Sequence, residues 1–289
     1  MQLQMAQLQA ERQFDSSVHA NPSKATTALA NRAAALGAHI FEGHEVKHVA
    51  EQNKGFHVIT SKGSFQCGKL VIAAGAWAPA VGRQLGLDIP VVPVKGQMWA
   101  TTPQPPGVIK RVIYAAESHS FWAQKCTTDY ALGSPANVTH DAHTKQKLVR
   151  HVYGRQCRDG RIIFGGDRVV CDASDYKIDQ DGIRLNQEHI AELLPVVKGL
   201  EVETTWSGIM PFSMDGKPHL GPVKCMQGVY VATGFSSSGF MLGPMAGVML
   251  ANTILGKHDD ILASAEPCRP GPGGIRLLVA SSARLPSKL

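Results

Sequence analysis

The spacing of apolar residues changes character three times along this chain. Lys24–Leu36 is Ala-rich, follows Asn21-Pro22-Ser23 and stops at Gly37. An asparagine cap, a proline in the first turn and a glycine past the end predict a helix there. The short runs Ala38–Phe41, Glu45–Val49, Phe56–Thr60 and Ser64–Cys67 predict strands. Lys69-Leu-Val-Ile-Ala-Ala-Gly75 is apolar without alternation, which predicts a strand buried on both faces within a parallel sheet. Trp77–Leu85 predicts a further helix.

From Pro90 to about Thr205 alternating strands and turns replace that rhythm. In Tyr153–Gly166 the Asp159-Gly160 pair predicts a type I′ hairpin turn. Asp141–Arg150 and Asn186–Leu194 predict helices. After Trp206 the αβ pattern returns. The run Val229–Ala232 stops at Thr233-Gly234, crosses a Gly/Ser loop and opens into a long uncharged helix near Gly239. A glycine-lined loop at a helix N-terminus presents unpaired N–H groups and partial positive charge, a place for an anion or an electron-rich ring edge. The expected fold is α/β, α+β overall. Residues 18–89 and 206–268 form one discontinuous domain, 90–205 an inserted, mostly antiparallel domain, and 269–289 a flexible tail rich in Pro, Gly, Ser and Arg.

Composition narrows the function. The 289 residues are 44% apolar and 18% charged, which is globular. The net charge of +6 is scattered, with no basic run or aromatic-basic interleaving, so nucleic acid is not an expected partner. Six cysteines at wide spacings (67, 126, 157, 171, 225, 268) carry no metal-ligand pattern and read as free thiols in a reducing compartment. The uncharged run Gly234–Gly256 contains Pro244 and several glycines, and reads as a buried helix, not a membrane span. The chain ends Ser287-Lys288-Leu289, a receptor-read peroxisomal address; its import receptor is the expected partner, and the alternative location is cytoplasmic.

Three blocks in order carry a resemblance. They are Asn21-Pro-Ser-Lys with Ala35-Leu-Gly-Ala-His, Val46 and Leu70-Val-Ile-Ala-Ala-Gly-Ala-Trp77; then Val91-Val-Pro-Val-Lys-Gly-Gln97; then Trp206-Ser-Gly-Ile-Met-Pro-Phe-Ser-Met-Asp-Gly-Lys-Pro-His-Leu-Gly-Pro222, running into the Gly234 loop. Together they resemble the D-amino-acid-oxidase-like superfamily of FAD-dependent oxidoreductases, nearest its sarcosine/glycine-oxidase branch, over residues 18–268. The resemblance implies an FAD-binding Rossmann-like domain and oxidation of a C–N bond of an amine or amino acid. It implies that Val46 meets the adenine end of FAD, that Ala74, Gly75 and Trp77 pass beside the dinucleotide, and that Gly234, Phe235, Ser238, Gly239, Phe240 and Met241 face the flavin pyrimidine edge. A helix N-terminus there stabilises the negative charge of a reduced flavin.

The chain departs from that pattern at several places. No G-x-G-x-x-G phosphate loop occurs in it. Gly165-Gly166-Asp167 lacks the spacing, and Gly271-Pro-Gly-Gly274 puts proline, which has no N–H, where donors are needed. The reading is therefore of an incomplete FAD domain lacking the pyrophosphate site: a fragment, a truncated gene model or a degenerate paralogue. The alternative function is that of a truncated, catalytically inactive flavoprotein fragment acting through a partner chain. Weak or no FAD binding is expected. Met210 stands where glycine-oxidase-like members place a carboxylate-clamping Arg, and Met241 where sarcosine-oxidase-like members place a Lys. The substrate cavity then draws on Tyr153, Arg155, Met210 and Met241, with Lys95 a further cation. Tyr153 and Arg155 share one strand face by period two. No cysteine stands near Gly208, so flavin is expected to be non-covalent, and oxidase and dehydrogenase chemistries stay open. Catalytic residues are unassigned, because amine oxidation by flavin requires no protein base. His219 is expected in a fixed turn before Gly221, with Asp215-Gly216 shaping the turn.

Overall fold

The computed structural model describes residues 20–52, 55–114, 138–140, 147–149, 152–257 and 260–278. In chain order the first elements are α1 (Pro22–Ala35), β1 (Val46–Gln52), β2 (Gly55–Thr60), β3 (Gly63–Cys67), β4 (Leu70–Ile72) and α2 (Ala78–Gln84). Then come β5 (Leu87–Asp88), β6 (Val91–Thr101), β7 (Ile113–Tyr114), β8 (Val138–His140), β9 (Lys147–Val149), β10 (Tyr153–Gln156), β11 (Ile162–Val170) and α3 (Gln180–Leu193). The last are β12 (Val202–Ser213), β13 (His219–Pro222), β14 (Val229–Thr233), α4 (Gly239–Ile254) and β15 (Arg276–Leu277). The sheets are mostly antiparallel, and the chain divides into two compact units: Met1–Arg32 with Pro93–Met210, and Ala33–Val92 with Pro211–Leu289.

Local signals place α1 well. The Asn21 side chain caps it by accepting the Lys24 N–H at 3.0 Å, and Gly37 at φ +97° ends it. Ala38–Phe41 forms no strand; the Ala38 N–H closes the helix end on the Ala33 carbonyl at 3.0 Å, and Phe41 packs its ring against Phe65 of β3. Lys147–Val149 is strand β9, not the helix its composition suggests, and pairs with β8 and β11. Residues 141–146 of that expected helix lie outside the described residues.

In the Ala33–Val92/Pro211–Leu289 unit, β1, β2 and β3 form an antiparallel meander, and a second sheet has the order β13-β14-β4. The β4–β14 pair is parallel, with Val229 opposite Leu70 and Val231 opposite Ile72. Burial on both faces does not follow. Ile72 is buried but Val71, its neighbour on the other face, is 40% exposed. Phe56, Ile72, Ala78, Leu87, Val229, Val231 and Ile275 form the main core, and Leu220, Ala246 and Leu250 a second cluster under α4.

The segment expected to be a flexible tail from 269 is packed into this unit as far as Leu278. Strand β15 pairs with β5, Ile275 is buried, and the Leu278 N–H donates to the Gly86 carbonyl at 2.7 Å. Arg269 holds the segment down. Its Nε reaches Asp215 Oδ2 at 2.6 Å and its Nη2 reaches Oδ1 at 2.7 Å, while the remaining N–H groups donate to the carbonyls of Lys217, Pro218 and Glu266. Burial pushes the Asp215 carboxyl up, but the bonds from Arg269 and the Lys217 N–H outweigh it and hold it below the usual range.

In the Met1–Arg32/Pro93–Met210 unit the sheet runs β12-β6-β11-β10-β7. Helix α3 covers one face, where Trp99, Ile162, Phe164, Ile183 and Ile190 are buried together. Gly154 allows this packing, since a Cβ there would lie 2.0 Å from the Phe164 ring. The β10–β11 hairpin forms as predicted, though not through a type I′ turn. Positive φ falls on Gly160 (+89°) and not on Asp159, and the Cys157 carbonyl accepts the Gly160 N–H at 3.1 Å, as in a type I turn closed by a glycine bulge.

The pairing of β11 with β6 breaks at a bulge. Gly165 opposes Met98 and Arg168 opposes Gly96, so Gly166 and Asp167 together face Gln97. Gly166 has φ +119°, which a side chain rarely adopts. The bulge turns Asp167 toward α3, where Gln97 Nε2 donates to its Oδ2 at 2.7 Å and its Oδ1 has no partner. Gln97 Oε1 in turn accepts the Asp179 N–H at 2.6 Å, and Asp179 caps α3 through the Asp181 N–H. Burial, countered in part by the Gln97 bond and helped by the nearby Asp179 charge, pushes the Asp167 carboxyl up to about 6.

Two outcomes follow. Because the folded pKa of Asp167 lies above the ordinary 3.8, its contribution favours folding most below about pH 4 and is lost as pH rises through about 6. Asp167→Asn should therefore stabilise this unit at neutral pH by about 2 kcal/mol and flatten its pH dependence between those values, read by hydrogen exchange of α3 amides corrected for intrinsic rate. Arg269→Ala leaves a part-buried Asp215 unpaired, and should destabilise the other unit by about 3 kcal/mol in thermal or denaturant unfolding.

Candidate functional site

Parallel strands β4 and β14 end side by side, and each runs straight into a glycine turn. β4 leads to Ala74, Gly75 at φ +54° and a short 3₁₀ turn through Trp77. β14 leads to Gly234 at φ +74°, Phe235, a 3₁₀ turn at Ser236–Ser238 and then α4. The Thr233 hydroxyl donates to the Gly75 carbonyl at 3.0 Å and ties the two turns together. Carboxyl ends of parallel strands are where α/β sheets bind ligands.

Three features of the second turn suit an electron-rich ring edge. No side chain caps α4, and its first turn carries no acidic residue, so its first N–H groups keep their partial positive charge. Ser236 holds φ +53°, alone among the described non-glycine residues with positive φ, and such strain gathers at functional turns. A Cβ at Gly234 would press on the His219 ring (3.0 Å) and Ser213 (3.2 Å), so tight space adds to the positive φ in favouring glycine. Ala74, Gly75, Trp77, Gly234, Phe235, Ser238, Gly239, Phe240 and Met241 thus come together at one end of one sheet. Val46 does not join them; it starts β1 in the separate meander.

His219 is not in a turn. It opens β13, fully buried, with Nδ1 3.4 Å from Arg269 Nη1 and Nε2 without a partner. Burial first, and the Arg269 charge second, push it down to about 4, so it is neutral at pH 7 and unsuited to act as a base on an exposed substrate.

In the other unit the candidates lie on the sheet face away from α3. Alternation puts Tyr153 and Arg155 on the side of β10 away from α3, with Gly165 and Ile163 opposite them on β11 and Tyr114 beside Tyr153 on β7. Arg155 Nη1 lies 3.4 Å from the Tyr153 hydroxyl, as their shared face requires. Met210 packs its Cε where a Cβ on Gly96 would stand, on this same face. Lys95 is not available as an anchor: its Nζ is held by Asp175 Oδ2 and the Lys177 carbonyl, both at 2.8 Å.

Sequence reasoning missed Arg168 here. An unbroken β11 would aim Asp167 at this face and Arg168 at the core; the bulge exchanges them, leaving Arg168 opposite Gly96. Its guanidinium is buried, and burial lowers it to about 10. The Gly165-Gly166 pair inside an apolar run was the available signal. Ser287, Lys288 and Leu289 lie outside the described residues.

Comparison with known proteins identifies the family. A family model described as FAD dependent oxidoreductase, DAO, matches residues 10–253. Glycine oxidase of Pseudomonas aeruginosa is 29% identical over 219 residues, covering 75% of this chain and 49% of that protein. Among solved structures, L-proline dehydrogenase from P. horikoshii superposes with a TM-score of 0.70 at 27% identity, covering 86% of this chain and 59% of that one. Glycine oxidase from Geobacillus kaustophilus gives 0.67 at 26% identity, covering 84% and 57%. The chain spans about half the length of the curated relatives it matches. It belongs to the DAO family of FAD dependent oxidoreductases.

Proposed function

We propose that this chain supplies the flavin-edge turns and the substrate sheet of an oxidoreductase that oxidises a C–N bond of an amine or amino acid. The observation that carries the reading is the pair of glycine turns joined by the Thr233–Gly75 bond ahead of an uncapped helix. Bound FAD would supply the two-electron acceptor. The N–H groups at the start of α4 would hold its ring edge, and Trp77, Phe240 and Met241, all substantially exposed, would wall the ring from water. The 289 residues hold no glycine-rich phosphate loop, so in this reading they grip the cofactor weakly by themselves. Glycine oxidases and a D-amino acid dehydrogenase among the relatives favour a small amino acid or amine as substrate.

On the substrate side, Met210 cannot clamp a carboxylate, and we assign that role to Arg155 with Tyr153. Oxidase and dehydrogenase outcomes remain alternatives within the reading. We also propose that Ser287-Lys288-Leu289 directs the chain to peroxisomes.

The test is a protein extended upstream to include a strand carrying G-x-G-x-x-G, assayed for bound flavin and for amine-dependent reduction of it. Flavin reduced by an amino acid is the expected result; a folded, extended protein that binds no FAD would sink the proposal and favour a fragment acting through a partner chain. In the active protein, Arg155→Met should raise KM for an amino acid roughly tenfold to a hundredfold while leaving KM for the matching carboxyl-free amine unchanged. Equal effects on both would remove Arg155 from the carboxylate role. Deleting Ser287–Leu289 should shift a tagged chain from peroxisomes to cytosol under fluorescence microscopy.

A further inference from the structure

Cys225 and Cys268 are 43 positions apart in sequence, yet their sulfurs stand 3.9 Å from each other. No other pair of described thiols comes within hydrogen-bonding distance. Cys225 is exposed, in the tight turn that joins β13 to β14, where the Met226 N–H donates to the Val223 carbonyl at 2.9 Å. Cys268 is half-buried against the main core, between Pro267 and Arg269.

Both backbones are held independently of the sulfurs. Next to Cys225, Lys224 pairs with Glu266, two residues before Cys268. On the other side the Pro267 carbonyl accepts the Ile275 N–H at 2.7 Å, and Arg269 is locked on Asp215. The two thiols are thus presented to each other by a framework that does not depend on bonding between them, and disulfide formation draws the sulfurs, 3.9 Å apart, about 2 Å nearer.

We propose that Cys225 and Cys268 are a reversible oxidation site that closes to an intrachain disulfide, with hydrogen peroxide as the oxidant. The exposed Cys225 thiolate attacks one peroxide oxygen; the O–O bond breaks, a sulfenic acid forms and, with a proton, water leaves. The Cys268 thiolate then attacks the Cys225 sulfur; the S–S bond forms, the S–O bond breaks, and a second water leaves. Two thiols lose two protons and two electrons, and peroxide is reduced to two waters. A thiol reductant reverses the reaction by exchange.

Closure would staple the Glu266–Arg269 segment to the β13–β14 turn and hold Arg269 on Asp215. Burial, and then the neighbouring Cys268, raise the Cys225 thiol above its ordinary range, so the pair closes slowly and faster in alkali. That is the behaviour of a staple set by sustained oxidation, not of a rapid peroxide sensor.

The test uses the full chain, reduced, freed of reductant, exposed to a small excess of hydrogen peroxide, blocked by alkylation and digested with trypsin without reduction. Trypsin leaves Cys225 in residues 225–257 and Cys268 in residues 258–276, because Pro270 protects the bond after Arg269. The expected product is those two peptides joined, lighter by two hydrogens than their sum and separated by dithiothreitol. It should dominate all other pairings of the six cysteines in the folded chain, lose that dominance in guanidinium, and form faster at about pH 9 than at about pH 7. The closed form should also melt several degrees higher than the reduced one, with Cys225→Ser abolishing both the joined peptide and the rise. Three results would overturn the proposal: pairings spread evenly over the cysteines, a native yield no greater than in guanidinium, or peroxide leaving only sulfinic or sulfonic acid at Cys225.

Discussion

Gly166 is the residue on which the charge layout of the β12-β6-β11-β10-β7 sheet depends. At φ +119° it lets β11 set two residues against one on β6. A one-residue change of register exchanges the two faces of a strand, and here the strand carries an acid and a base side by side. With the bulge, Asp167 turns inward to Gln97 and the start of α3, while Arg168 joins Arg155 and Tyr153 on the other face. Without it, a carboxylate would line the surface proposed to receive an anionic substrate. The inward turn has a cost. It buries a carboxyl with one oxygen unpartnered, and that is the cause of its raised pKa.

The other unit rests on a comparable device that also involves a buried charge. Arg269 satisfies both oxygens of Asp215 and three carbonyls, closing the turn before β13 and packing the segment that follows α4. With that turn fixed, β13 can bury His219 and hold it against Gly234, where a side chain would be crowded. The geometry of the proposed flavin-edge turn is thus supported by residues remote from it in sequence.

How much of this was legible in the sequence divides along physical lines. Features made by neighbouring residues were readable: the Asn21-capped helix, the β10–β11 hairpin, the parallel strand ending at Gly75 and the Gly234 turn into α4. Features set by a distant partner were not. The register shift at Gly166 depends on β6, so period-two reasoning placed Tyr153 with Arg155 correctly but could not place Arg168. Arg269 sits in a Pro/Gly-rich stretch whose composition reads as flexible, and its order comes from Asp215, 54 residues away. Lys95 is a candidate cavity cation by sequence alone, and its bond to Asp175, 80 residues on, takes it out of that role.

Apolar side chains are exposed on α4 and beside it. Met241 is 73% exposed and Met245 63%, on a helix of which only Ala246 and Leu250 are buried, and β4 is an edge strand. Surfaces of this kind are usually covered in a working protein, and the chain spans about half the length of its curated relatives. The central claim is that these 289 residues carry the ring-edge half of a flavin site without the part that holds phosphate. Its most direct test is an equilibrium titration of the purified chain with FAD, followed by flavin absorbance and fluorescence. The account predicts no saturable binding at micromolar concentrations; a chain that purifies with stoichiometric flavin, or takes it up tightly by itself, would contradict it.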